Sequence, residues 1–159
     1  MRTTKTTIHA FVKIINIAIL FSVLLFSSCA YRQSCMDILL EFTQKNDGLP
    51  YGGIYLSGAD EGSENFLSPS LIKVLYYDGA AEYEFSMIEE YAIYLSDQPK
   101  PCEVAVYKCY SRSDTLTVAA MCLERIEKLK ILLADTAFAE IPPRADIDIK
   151  GHFVIVTML

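Results

Sequence analysis

The run IINIAILFSVLLF, Ile14 to Phe26, bounds what the rest of the chain can fold into. Its 13 residues fall short of the roughly 20 that a bilayer-spanning helix needs and match the apolar core of an export signal, about 7–15 residues. MRTTKTTIHAFVK ahead of it carries Arg2, Lys5 and Lys13 and no acid. Those charges are expected to hold the N-terminus inside and send the rest of the chain outward. The folding domain is then confined to about 130 residues after the run, enough for one domain and too few for a two-lobed binding protein with a hinge.

Ser27-Ser28-Cys29 closes the run. Small residues before a cut pass a peptidase cleft in extended form. A cysteine directly after the cut offers a thiol for diacylglyceryl attachment. The segment resembles a bacterial lipobox, with Phe26 where that pattern more often has Leu and with Leu25 one place early. The sequence therefore predicts a lipoprotein signal peptide over 1–28, lipidation at Cys29, a tether over 29–33 and a domain over 34–159. The alternatives are a plain signal cut near Ala30, or an uncut anchor over Ile8 to Ser28 that would have to carry His9, Lys13 and Asn16. Two acyl chains, at about 0.8 kcal/mol per buried CH₂, hold a domain on a membrane without help from charge. Charge offers none. Removing residues 1–28 leaves 11 basic against 20 acidic residues, a net charge of −9, which repels nucleic acid and anionic surfaces before contact.

Periodicity gives the domain its elements. SCMDILLEFTQK, Ser34 to Lys45, places Cys35, Ile38, Leu39 and Phe42 at helical spacing. A glycine-rich acidic loop comes next, with a short extended piece at most at Gly53 to Ser57. Ser68 or Ser70 can cap a helix from Pro69 to Tyr77. Ile88 to Ser96 and Glu103 to Tyr110 read as strands, the second apolar on both faces and hence interior. Asp114 or Ser113 caps a long helix over Thr115 to Ala134, with Ala119, Cys122, Leu123, Ile126, Leu129 and Leu133 as its buried stripe. Asp146 to Ile149 and His152 to Met158 form a closing hairpin. The expected fold is α+β: a single small domain in which a long helix and shorter helices pack on one face of a mostly antiparallel four-stranded sheet, preceded by the signal helix.

EEYAIYLSDQPKPCEVAVYK, then LERIEKLK, then KGHFVIVTML resemble, in that order, the domain-of-unknown-function family 4358, uncharacterised lipoproteins of Gram-positive bacteria. The likeness spans Met36 to Leu159. It implies a lipobox start, in keeping with Cys29, and an α+β fold. It implies no activity. Arg125 corresponds to the family's helix arginine, for which a salt bridge is the expected role ahead of ligand binding.

The residues point to no reaction. Cys35, Cys102, Cys109 and Cys122 lack metal spacing. Cys102 and Cys109 on one strand stand roughly 23 Å apart, beyond disulfide reach of about 7 Å, so free thiols are expected. Asp60, Glu61 and Glu64 lack the order of a calcium loop. Glu89 and Glu90, on a strand, point to opposite faces and so cannot flank one bond together. His152 is the one histidine after the signal, and its partners for acyl transfer would be Cys109 or Ser111. The expectation is a membrane-anchored extracytoplasmic lipoprotein without catalysis, cofactor, metal or nucleic acid. It would contact membrane lipid through acylated Cys29 and an envelope protein through a tyrosine-bearing surface near Tyr51, Tyr55, Tyr76 and Tyr77. The alternative is a small extracytoplasmic hydrolase using His152.

Overall fold

Glu103–Cys109 (β3) is buried at nearly every position, so the strand needs a neighbour on each edge and a helix on each face. The rest of the domain supplies all four. The structure, a computed structural model, describes residues 33–45, 49–76, 81–98 and 100–159. Cys29 and the signal segment lie outside the described residues, as does Tyr77.

With Gly52–Leu56 as β1, Ile88–Ser96 as β2, Asp146–Lys150 as β4 and Phe153–Met158 as β5, the sheet runs β1-β2-β3-β5-β4. Every neighbouring pair is antiparallel. At the centre Val106 stands opposite Ala92 on one side and Ile155 on the other. Val104 and Val106 join Ala92, Tyr94 and Ile155 beneath Cys35, Ile38 and Leu39 of helix α1, Cys35–Lys45. Ala105, Tyr107 and Cys109 face the other way, under Val118, Met121, Cys122 and Ile126 of the long helix. That helix is Arg112–Leu133; it becomes α4 after α2 (Pro69–Tyr76) and α3 (Ala81–Phe85). It joins β3 to β4, parallel strands with β5 between them.

The α+β class stands. Two details of the expected fold are corrected. The sheet has five strands, because Gly52–Leu56 pairs along the whole outer half of β2. Helices cover both faces, as a strand apolar on both sides requires.

Gly52 hid the extra strand from a propensity reading, yet its lack of a side chain makes the pairing feasible. A Cβ there would collide with the Leu95 carbonyl. The acidic loop then closes the new edge. Asn65 Nδ2 donates to the Ile54 carbonyl at 2.7 Å. Leu56 N–H donates to the Asn65 carbonyl at 3.0 Å. The outward Ile54 carbonyl and Leu56 N–H, otherwise open to another chain, are thereby occupied. At the far edge Gly151, with φ +64, allows a two-residue turn that only glycine adopts without strain.

Helix α4 begins earlier than its apolar pattern indicates. Ser111 is the N-cap and Asp114 its reciprocal partner, so the acid expected to cap is the third residue of a capping box. Helix α1 has the same device in Ser34 and Asp37. Glu90 adds to it by accepting from Cys35 N–H at 2.8 Å, placing a carboxylate at the positive end of the helix. The bulge at Glu89 breaks strict alternation in β2, and Glu89 reaches Lys108 at 2.9 Å.

The buried stripe of α4 is Thr115, Val118, Met121, Cys122 and Ile126. Leu123, expected in the core, is 52% exposed. The stripe is turned by about one residue because Arg125 occupies a place on the sheet side.

Candidate functional site

Arg125 organises the polar part of the interior. Its Nη2 and Nε donate to the same Glu103 oxygen at 2.7 and 2.9 Å, with side-chain exposures of 10% and 5%. Nη1 donates to the Leu75 carbonyl at 2.5 Å, one of the carbonyls that the end of α2 leaves without a helical partner. The guanidinium lies 5.2 Å from the Tyr76 ring centroid, a cation–π distance. The Tyr76 hydroxyl is hydrogen-bonded to that of Tyr107, and Phe85 stands edge-on to both rings. Burial alone disfavours the charge of Arg125, yet the Glu103 carboxylate beside it holds its pKa above the ordinary value. Burial likewise pushes both phenols far up.

A cleft of about 140 Å³ between Leu75, Leu95, Pro101 and Leu129 reaches this pair. An anion entering it would meet Glu103 together with Arg125, so the cleft offers no net positive charge. The arrangement clamps α4, β3 and the end of α2 to one another. A salt bridge is the role expected of Arg125, at the surface or at a helix end; the pair found is buried instead. Sequence reading missed the partner. Glu103 opens a strand, where an acid is usually exposed, and its 22-residue separation from Arg125 gives no local signal.

His152 and Cys109 are neighbours through backbone atoms, Cys109 N–H donating to the His152 carbonyl at 2.8 Å, but their reactive groups are not brought together. His152 sits exposed in the β4–β5 turn, and its Nδ1 meets the Cys109 carbonyl at 3.3 Å. A carbonyl only accepts, so this bond forms in the tautomer that carries its proton on Nδ1. The Cys109 thiol points into the α4-side core, where burial raises its pKa to about 11. Ser111 is committed as the N-cap, with its Oγ accepting from Asp114 N–H and sharing a bond with Ser113 Oγ. The remaining thiols are buried too. Burial lifts Cys35 to about 12 and Cys102 and Cys122 upward as well. None is the thiolate that nucleophilic chemistry needs. Cys35 and Cys102 lie on the α1 side of the sheet, Cys109 and Cys122 on the other, and all four are free.

Asp60, Glu61 and Glu64 stand exposed along the loop. Among the described residues no three Asp, Glu, His or Cys side chains converge on one point, and no helix is long and apolar enough to cross a membrane. The tyrosines near the loop divide: Tyr51 is 84% exposed and Tyr76 is in the core, while Tyr55 packs partly against it. No family model, curated protein or solved structure matches the chain.

Proposed function

We propose that the chain is a lipid-anchored extracytoplasmic module of the cell envelope that binds a protein partner and catalyses nothing. Ser27-Ser28-Cys29 directly after the apolar run carries the reading. The domain's chemistry agrees with it. Its thiols are buried and protonated, its cleft arginine is neutralised by Glu103, and its lone histidine faces a backbone carbonyl. Meanwhile Tyr51, Leu116, Leu123 and Ile131 are exposed, which suits contact with another protein better than turnover of a small molecule. The family 4358 likeness stays with this reading and adds the same address.

The test is Cys29→Ser in growing cells. Labelled palmitate should enter the wild-type protein, and the variant should incorporate none and persist as uncut precursor. Normal labelling of the variant would defeat the anchor. His152→Ala should leave both labelling and partner capture unchanged. Selective loss of the cellular phenotype in a folded His152→Ala protein would favour the hydrolase instead.

A further inference from the structure

Three of the five N–H groups of Arg125 are engaged, two by Glu103 Oε2 and one by the Leu75 carbonyl. Two remain. Both bonds to Glu103 end on Oε2, so its other oxygen, Oε1, accepts from no described residue. A clamp alone is served best by a fork in which each carboxylate oxygen takes one N–H. Among the described residues, the one buried side-chain oxygen or nitrogen without a partner is Glu84 Oε2. Glu103 Oε1 is therefore reached by solvent, although Glu103 as a whole is only 3% exposed. Two hollows touch the pair. The one beside Ile126 and Val156 has no room for a water. The other is the cleft of about 140 Å³, which gives Oε1 its way out.

We propose that this cleft binds a neutral primary carboxamide. The polar end selects that group, because an unused acceptor and unused donors belong to one ion pair. A carboxamide offers the complement from adjacent atoms, a carbonyl oxygen for the guanidinium and an N–H for the carboxylate. An anion would find the same guanidinium but meet Glu103 at close range. A cation would find Oε1 but meet Arg125. Either would give up its hydration for no net attraction. Leu75, Leu95, Leu129 and Met158 wall the rest of the cleft, and a short alkyl group covers such walls better than water does. At about 30 Å³ per water the space matches a ligand of roughly five heavy atoms. That is a short amide, or the end of a glutamine or asparagine side chain. Drug-sized molecules take about 300 Å³ or more and do not fit.

The proposal goes beyond the module reading and does not rest on it. Loss of the Cys29 label would leave the cleft as it is, so anchorage and ligand binding fail separately.

The full chain in nanodiscs of deuterated lipid is titrated with propionamide, and saturation-transfer NMR reads the bound probe. A probe of roughly five heavy atoms should bind in the millimolar range. Propionate, propylammonium and N,N-dimethylpropionamide should each bind at least about tenfold more weakly, the last because it has no N–H for Oε1. A chain carrying both Arg125→Met and Glu103→Leu should lose propionamide to the same extent while its tyrosine dichroism stays that of the folded protein. If that chain does not fold, the three analogues on the wild-type chain decide alone. A blocked Gly-Gln-Gly peptide separates the two sources of the amide. Tighter binding than its Gly-Leu-Gly counterpart assigns the ligand to a protein side chain, and no such preference assigns it to a free molecule. Equal affinity for propionate, propylammonium or the dimethyl amide would overturn the proposal. So would unchanged binding by the folded double variant, or no transfer to propionamide from the folded wild-type chain.

Discussion

Replacing Arg125 with Met should cost about 3–5 kcal/mol of folding stability, and most of that loss should vanish when Glu103 becomes Leu in the same chain. The single change leaves a carboxylate on a residue only 3% exposed without the guanidinium that pairs with it. It also strips the Leu75 carbonyl of its donor. Glu103→Leu alone should cost a similar amount, because it strands a guanidinium held between β3 and α4. Removing both charges and filling the volume with apolar atoms eliminates the stranded ion. What remains is the unpaired carbonyl at the end of α2, at about 1–3 kcal/mol. Urea unfolding of the detergent-solubilised full chain reads the result. The 10 tyrosines and absence of tryptophan make tyrosine near-ultraviolet dichroism the natural probe of packing. Strictly additive losses would show that Arg125 and Glu103 act independently and that the clamp is misassigned.

Ile126→Ala should destabilise by about 2–5 kcal/mol, whereas Leu123→Ala should change stability by only about 0.5 kcal/mol. Both are large apolar residues on one helix, three positions apart, and sequence pattern alone assigns both to the core. Ile126 is 5% exposed and Leu123 52%. Truncating Ile126 opens a void between α4 and the sheet that the close-packed neighbours Val154 and Val156 cannot fill. Truncating Leu123 removes surface from an exposed face, and alanine keeps the helix. Equal losses in the same unfolding measurement would turn α4 over.

The two residues also show how far the sequence is readable. Helix α1, strands β2 and β3 and the closing hairpin follow from periods of 3.6 and 2, because in each the apolar positions fall on one surface or, for β3, on both. The facing of Val104 and Val106 opposite Ala105, Tyr107 and Cys109 was legible for that reason. Helix α4 defeats the same logic. It is apolar on two faces, and a charged residue takes a place toward the sheet, so counting hydrophobes turns the helix by a residue. Arg125 enters the core because Glu103 meets it, a pairing that only the tertiary fold creates. Strand β1 was obscured by Gly52 and Gly53; at Gly52 the missing side chain serves close approach to β2, and strand propensity gives no sign of that. The Glu89 bulge and the capping role of Glu90 likewise depend on what α1 brings alongside. The burial of Cys35, Cys109 and Cys122 was readable from their places on apolar elements, whereas Cys102, in the turn before β3, gave no such sign; the raised pKa values come from that burial.

The anchor underlies the whole functional reading, and one mass spectrum tests it most directly. The protein is extracted from membranes of cells making the wild-type chain, digested, and its N-terminal peptide is measured. The expected peptide begins at Cys29, its sulfur carries a diacylglyceryl group, and none of the preceding 28 residues is attached. A peptide beginning at Ala30 or beyond, or one retaining Ile14 to Phe26 with an unmodified Cys29, would contradict it.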